Sequence, residues 1–130
     1  MSAPVVLVVD DNPTNLKLIA YLLQAKGYEV RTAPDAESAL EQVRATRPAL
    51  ILMDLQLPGM DGLELTKRLK AAPETRDIVI IAVTAYAMKG DEERARAAGC
   101  DGYIPKPVDT RALPRIVAQH LGLGQELTST

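Results

Sequence analysis

Several residues with the chemistry to hold a cation stand where short aliphatic runs stop. Asp10 and Asp11 follow Val5-Val6-Leu7-Val8-Val9, Asp54 follows Leu50-Ile51-Leu52-Met53, and Thr84 follows Ile78-Val79-Ile80-Ile81-Ala82-Val83. Lys106, between Pro105 and Pro107, comes just after Gly102-Tyr103-Ile104. Three carboxylates gathered in one cleft repel one another, and burial raises the cost of their charge. A divalent cation relieves both problems. Donors that are all oxygen, with no His or Cys among them, suit Mg²⁺ or Mn²⁺ rather than Zn²⁺. The lone histidine, His120, lies in the last helical pattern and reads as a surface or boundary residue.

Each of these residues also has a plainer reading. Asp11 with Asn12-Pro13 could cap a helix, Asp54 could cap a turn before Pro58-Gly59, and Thr84 could simply end a strand. Capping accounts for neither Asp10 beside Asp11 nor a lysine between prolines. The joint pattern favours a site.

The elements that must position these residues are legible as an alternation. The three aliphatic runs are nearly continuous, as strands of a parallel sheet covered on both faces would be. Tyr28 to Thr32 and Gly102 to Ile104 complete five. Between and after them lie helical patterns. Pro13 to Lys26 carries Leu16, Ile19, Leu22 and Leu23 on one stripe, with Pro13 in the first turn and Gly27 as a C-cap. Asp35 to Thr46 carries Ala36, Ala39, Leu40 and Val43. Asp61 to Ala71 carries Leu65 and Leu69, with Leu63 partly exposed. Met88 to Ala98 stops at Gly99, and Gly90 either loosens that helix or marks its late start. The last helix carries Leu113, Ile116, Val117 and Leu121, with Asp109 or Thr110 as its cap. Pro114 fits it only in the first turn. Right-handed crossovers place such helices on both faces of a parallel sheet, and ligands then bind beyond the carboxyl ends of the strands. Asp10, Asp11, Asp54, Thr84 and Lys106 sit at those ends.

The expected class is α/β, a three-layer sandwich. At 130 residues, 47% apolar and 25% charged, the chain suits one domain over 4–122 with a short polar tail over 123–130. A formal charge of −2, with no Lys/Arg stripe, gives no reason to expect nucleic acid. No apolar run is long enough to span a bilayer, and the first one lacks the basic lead of a signal peptide. The single cysteine, Cys100, fits a reducing, cytoplasmic setting. The only aromatics are tyrosines, so the core is aliphatic.

These residues together resemble the bacterial two-component response-regulator receiver domains of the CheY-like superfamily, over Val5 to Leu121. Asp10-Asp11 looks like the family's acidic pair, and Ile51 to Gly62 its phosphoacceptor strand and loop. Val83-Thr84-Ala85 looks like the switch hydroxyl segment, and Lys106-Pro107 the lysine with its usually cis proline. The stretch from Thr84 to Arg94 is similar to stand-alone DivK-type regulators and to receivers of hybrid histidine kinases.

The resemblance implies a flavodoxin-like fold of five parallel strands in the order 2-1-3-4-5 with five helices. It implies an aspartyl phosphate on Asp54. It also implies Mg²⁺ held by Asp11, Asp54 and the backbone carbonyl of Gln56, with Asp10 acting through water. Lys106 would pair with Asp54 and then with the phosphoryl oxygens. Thr84 would donate to the phosphoryl group, and Tyr103 would reorient on activation. Gln56 stands where asparagine is frequent, which bears on autodephosphorylation. Implied partners are a histidine kinase or histidine phosphotransfer protein, and a protein target on the face of the fourth helix, fifth strand and fifth helix. Asn15, Leu16 and Ile19 are candidate input contacts, although Leu16 and Ile19 equally suit a buried stripe. A monomer or weak homodimer is implied.

Two rival functions are a phosphorylation-independent binding module and a Mg²⁺-dependent phosphohydrolase. The complete set of five polar residues speaks against the first. Gln56, where such hydrolases commonly carry a second aspartate, speaks against the second, so the chain reads as a switch and not as an enzyme with an external substrate.

Overall fold

A computed structural model describes residues 4–57, 59–85 and 89–122. In chain order the elements are β1 Val5–Val9, α1 Pro13–Gln24, β2 Glu29–Ala33, α2 Ala36–Thr46, β3 Leu50–Asp54, α3 Gly62–Ala71, β4 Val79–Thr84, α4 Lys89–Ala98, β5 Gly102–Pro105 and α5 Ala112–His120. The strands form one parallel sheet in the order β2-β1-β3-β4-β5. This is the three-layer, flavodoxin-like arrangement that the resemblance implied. Pro58, Met88 and the tail 123–130 lie outside the described residues.

Strand alternation sorts the aliphatic residues into two cores. Leu7, Val9, Ile51, Met53, Ile80 and Ala82 face the layer of α2, α3 and α4. Val6, Val8, Leu50, Leu52, Ile81 and Val83 face α1 and α5. Burial on both faces is why β1, β3 and β4 read as unbroken Val/Ile/Leu runs. Strand β2 differs from these three: Glu29, Arg31 and Thr32 are exposed because it is an edge strand with one neighbour. One row across the sheet, Val9–Met53–Ala82–Tyr103, is in register through β1, β3, β4 and β5.

Helix ends depart from expectation where side chains compete for the same role. Asn12, not Asp11, caps α1: its side-chain oxygen accepts from the N–H groups of Thr14 and Asn15 at 2.9 and 3.3 Å. Helix α1 ends at Gln24 with Ala25 as its C-cap, and Gly27 takes the left-handed conformation two residues later. Asp35 and Asp61 stand outside α2 and α3 as N-caps, accepting from the N–H groups of Ser38 and Glu64. Asp109 accepts from Arg111 and Ala112 at the start of α5, and Pro114 is the third residue of that helix, where no intrahelical donor is lost. Gly90 falls in the first turn of α4, so a late helix start accounts for it. Helix α4 is the least apolar of the five, held to the sheet side by buried Ala95 and Ala98. Among the described residues, no helix is long and apolar enough to cross a membrane.

Candidate metal and phosphoacceptor site

The carboxyl ends of β1, β3 and β4 and the segment after β5 converge at one rim. Asp10 and Asp54 are 2% exposed and Thr84 is 1% exposed, whereas Asp11 faces solvent. The two buried aspartates are built alike. Each spends Oδ1 on the backbone N–H two residues ahead, Asn12 for Asp10 and Gln56 for Asp54, both at 2.9 Å. Each turns Oδ2 to the same ammonium: Lys106 Nζ donates to Asp10 at 3.1 Å and to Asp54 at 3.2 Å. The turn-capping reading of Asp54 therefore holds for one oxygen only.

Lys106 is tied to this rim by its own N–H, which donates to the Thr84 carbonyl at 2.8 Å; the Lys106–Pro107 peptide is cis. Burial alone would lower the Lys106 pKa. The hydrogen bond with Asp10 and the charges of Asp54 and Asp10 outweigh it, so the ammonium is held above its usual range. Burial raises the Asp54 carboxyl, and the Asp10 charge adds to that. The Gln56 N–H and Lys106 work the other way without cancelling it, since one ammonium is divided between two carboxylates. A buried pair of negative charges with one shared positive charge is short of cation.

Oxygens of Asp10, Asp11 and Asp54 lie within 4.8 Å of one another. Because Asn12 does the capping, the Asp11 carboxylate is not spent on the helix. An all-oxygen donor set of three carboxylates with a charge deficit fits a hard divalent cation such as Mg²⁺. His120 is excluded from this set by position: it packs over Gly102, where an added Cβ would come within 2.9 Å of its Nε2.

Thr84 and Tyr103 lie on the same face of the sheet. Tyr103 pairs with Ala82, two residues before Thr84, and packs into the core beneath α2, α3 and α4. Burial raises the Tyr103 hydroxyl pKa, and the nearby charges of Asp91 and Glu92 on α4 raise it further. A cavity of about 180 Å³ beside Thr84 is lined by Gln56, Leu63, Asp91 and Arg94 among others. Asp91 accepts from Arg94 at 2.9 Å there.

Of the three candidate input residues, Ile19 is core at 3% exposure, because it faces the sheet with Leu23. Leu16 is partly buried against the same cluster, and Asn15 is partly exposed. The exposed apolar residues of α1 are instead Leu18 at 42% and Tyr21 at 70%. The sequence also did not disclose the role of Gly62. Its N–H donates to the Leu55 carbonyl, and an added Cβ would overlap the Asp54 carbonyl oxygen. A glycine directly after the capping Asp61 is the only trace of it in the sequence.

Comparison with known proteins gives a consistent picture. The family model described as the response regulator receiver domain matches residues 6–118. The polar-differentiation response regulator DivK of Brucella anthropi is 49% identical over 117 residues, covering 90% of this chain and 95% of that protein. A CheY-like response regulator receiver domain protein from Methanospirillum hungatei superposes with a TM-score of 0.86 at 31% identity, covering 96% and 98% of the two chains. The receiver domain of a Pseudomonas aeruginosa sensor histidine kinase, solved with a magnesium ion in its active-site cleft, gives 0.84 at 36% identity, covering 93% and 99%.

Proposed function

The chain belongs to the response regulator receiver domain family, and on that premise we propose that residues 4–122 form a phosphoacceptor switch of a two-component phosphorelay that takes its phosphoryl group from phosphohistidine onto Asp54. The observation that carries this reading is the pairing of a buried Asp54 with Lys106, beside two further aspartates. A carboxylate oxygen of Asp54 attacks phosphorus in line. The new O–P bond forms as the P–N bond breaks, and the electron pair of that bond returns to the imidazole of the donor. Lys106 already touches Asp54 and follows the charge as it spreads onto the phosphoryl oxygens. Thr84 stands at the end of the neighbouring strand, and in this reading its hydroxyl donates to the transferred group.

Asp11, Asp54 and the Gln56 backbone carbonyl would hold Mg²⁺, with Asp10 acting through water. A bound Mg²⁺ supplies charge that offsets the three carboxylates and the incoming phosphoryl oxygens. The magnesium ion in the cleft of the Pseudomonas relative supports this donor set.

Tyr103 shares a sheet face with Thr84, so a Thr84 drawn toward the phosphoryl group changes the space Tyr103 packs into. That couples Asp54 to the surface of α4, β5 and α5, where a downstream protein would dock. Leu18 and Tyr21 on α1, with Asn15, present the contact surface for a histidine kinase or phosphotransfer protein. The protein acts stoichiometrically, as a switch and not as an enzyme on an external substrate.

Intact mass after incubation with acetyl phosphate tests this reading. A Mg²⁺-dependent, base-labile gain of one phosphoryl group, absent in Asp54→Asn, is expected. No gain from acetyl phosphate or from a phosphorylated histidine protein would overturn it.

A further inference from the structure

At the end of the molecule opposite Asp54, α2 and α3 leave a cleft of about 410 Å³. Topology fixes its place. Both helices start at the rim where β2 and β3 end, so their C-terminal halves lie beside the other end of the sheet. Helix α3 packs against α4, and the cleft lies between the C-terminal halves of α2 and α3. The cleft floor is apolar, formed by buried Val43 and Leu69 with partly buried Leu40.

The mouth is cationic, which is unexpected in a chain of net charge −2. Arg44, Arg47 and Arg68 line it, and all three are exposed. Arg47 donates its Nε to the Glu74 backbone carbonyl at 3.1 Å, which positions the guanidinium without neutralising it. Arg68 meets Glu64 only at 3.9 Å, with both side chains more than half exposed, a weak pair. Glu74 is the one acidic residue of the lining, leaving the mouth with an excess of two positive charges, three from arginine against one.

We propose that this cleft is a second docking surface, taking a helical segment of a partner protein that carries an apolar ridge flanked by carboxylates. The charge around the mouth selects the sign of the partner. The apolar floor between two helices suits the side-chain ridge of a third, and guanidiniums at its edge can grip carboxylates through two parallel hydrogen bonds. Partners held here leave Asp54 and the α1 surface uncovered, so docking and phosphotransfer are compatible. The proposal does not depend on the phosphoacceptor reading.

The test uses the full chain, ¹⁵N-labelled, and a synthetic amphipathic helical peptide with leucines on one face and glutamates on either side. Amide shifts are expected to change around Val43, Arg44, Arg47 and Leu69. Affinity should fall about tenfold or more in the Arg44→Glu/Arg68→Glu double variant, and as steeply when the glutamates of the peptide become glutamine. Phosphoryl uptake from acetyl phosphate should be the same in the double variant and the parent. The idea is overturned by an absence of binding, by shifts confined to α1 or the α4–β5–α5 face, by affinity indifferent to either charge change, or by an inorganic phosphate or nucleotide anion producing the same shifts without the apolar ridge.

Discussion

Gly62 opens α3 so close to Asp54 that a Cβ on the glycine would overlap the Asp54 carbonyl oxygen and crowd the Cα of Leu55. Both obstructions are backbone, which cannot swing aside as a flexible side chain can. The first turn of α3 is thereby seated directly against the end of the strand that carries the phosphoacceptor. Gly62→Ala should push the two apart, costing about 1–3 kcal/mol of stability and slowing phosphoryl uptake, as read by urea denaturation and by acetyl phosphate kinetics on the same samples. Normal uptake in a destabilised variant would show that the contact serves folding alone.

Asp54→Asn should stabilise the metal-free protein. Burial and the Asp10 charge raise the Asp54 pKa, so its ionisation opposes folding at neutral pH, and the neutral amide removes that opposition. A gain of about 1 kcal/mol is expected. Added Mg²⁺ should raise the Tm of the parent clearly and that of the variant much less. Equal Mg²⁺ shifts in both would remove Asp54 from the donor set.

Lys106→Met should have the opposite effect. It leaves Asp10 and Asp54 buried together without their shared cation, a loss of about 3–5 kcal/mol in the absence of metal. Millimolar Mg²⁺ should restore much of this, because it serves the same two carboxylates. A variant as stable as the parent in EDTA would contradict the electrostatic account of the site.

Asp35 gives a pH dependence with a definite sign. Its backbone hydrogen bond with Ser38 lowers the carboxyl pKa, so the folded value lies below the unfolded one. The cap therefore contributes fully above the unfolded value, and its contribution is lost as the pH falls through the folded one. Asp35→Asn, which still caps but does not titrate, should match the parent near neutrality and show a flatter acid limb in thermal melts. Asp35→Ala should be less stable at neutral pH. An acid limb in Asp35→Asn as steep as in the parent would rule the carboxylate out as its source.

Much of the fold was legible because β1, β3 and β4 are buried on both faces and so cannot hide their aliphatic composition. The strand order came through resemblance, not pattern, since nothing in a Val/Ile run names its neighbour. The aspartates, Thr84 and Lys106 were visible because each directly follows such a run or the short β5. What the sequence withheld was decided by local geometry. Asp11 and Asn12 are both good caps, and only the backbone path gives the role to Asn12. Leu18 and Ile19 are adjacent and similarly apolar, yet about 100° of helical rotation separates an exposed residue from a core one. The Gly62 contact and the arginine-rimmed cleft each join segments whose approach no spacing rule specifies.

Among the described side chains of α4, Ala95 and Ala98 are the buried ones. Each buried methyl contributes roughly 0.8 kcal/mol, about the net worth of one hydrogen bond. In the proposed switch, a change in the seating of α4 is therefore set on the scale of a single hydroxyl changing partners. A device tuned so finely needs no large input to tip it. For the same reason a one-residue change, Ala95→Leu for instance, can reset its resting position while the chemistry at Asp54 stays intact, which leaves the threshold of the response free to drift independently of the reaction that triggers it.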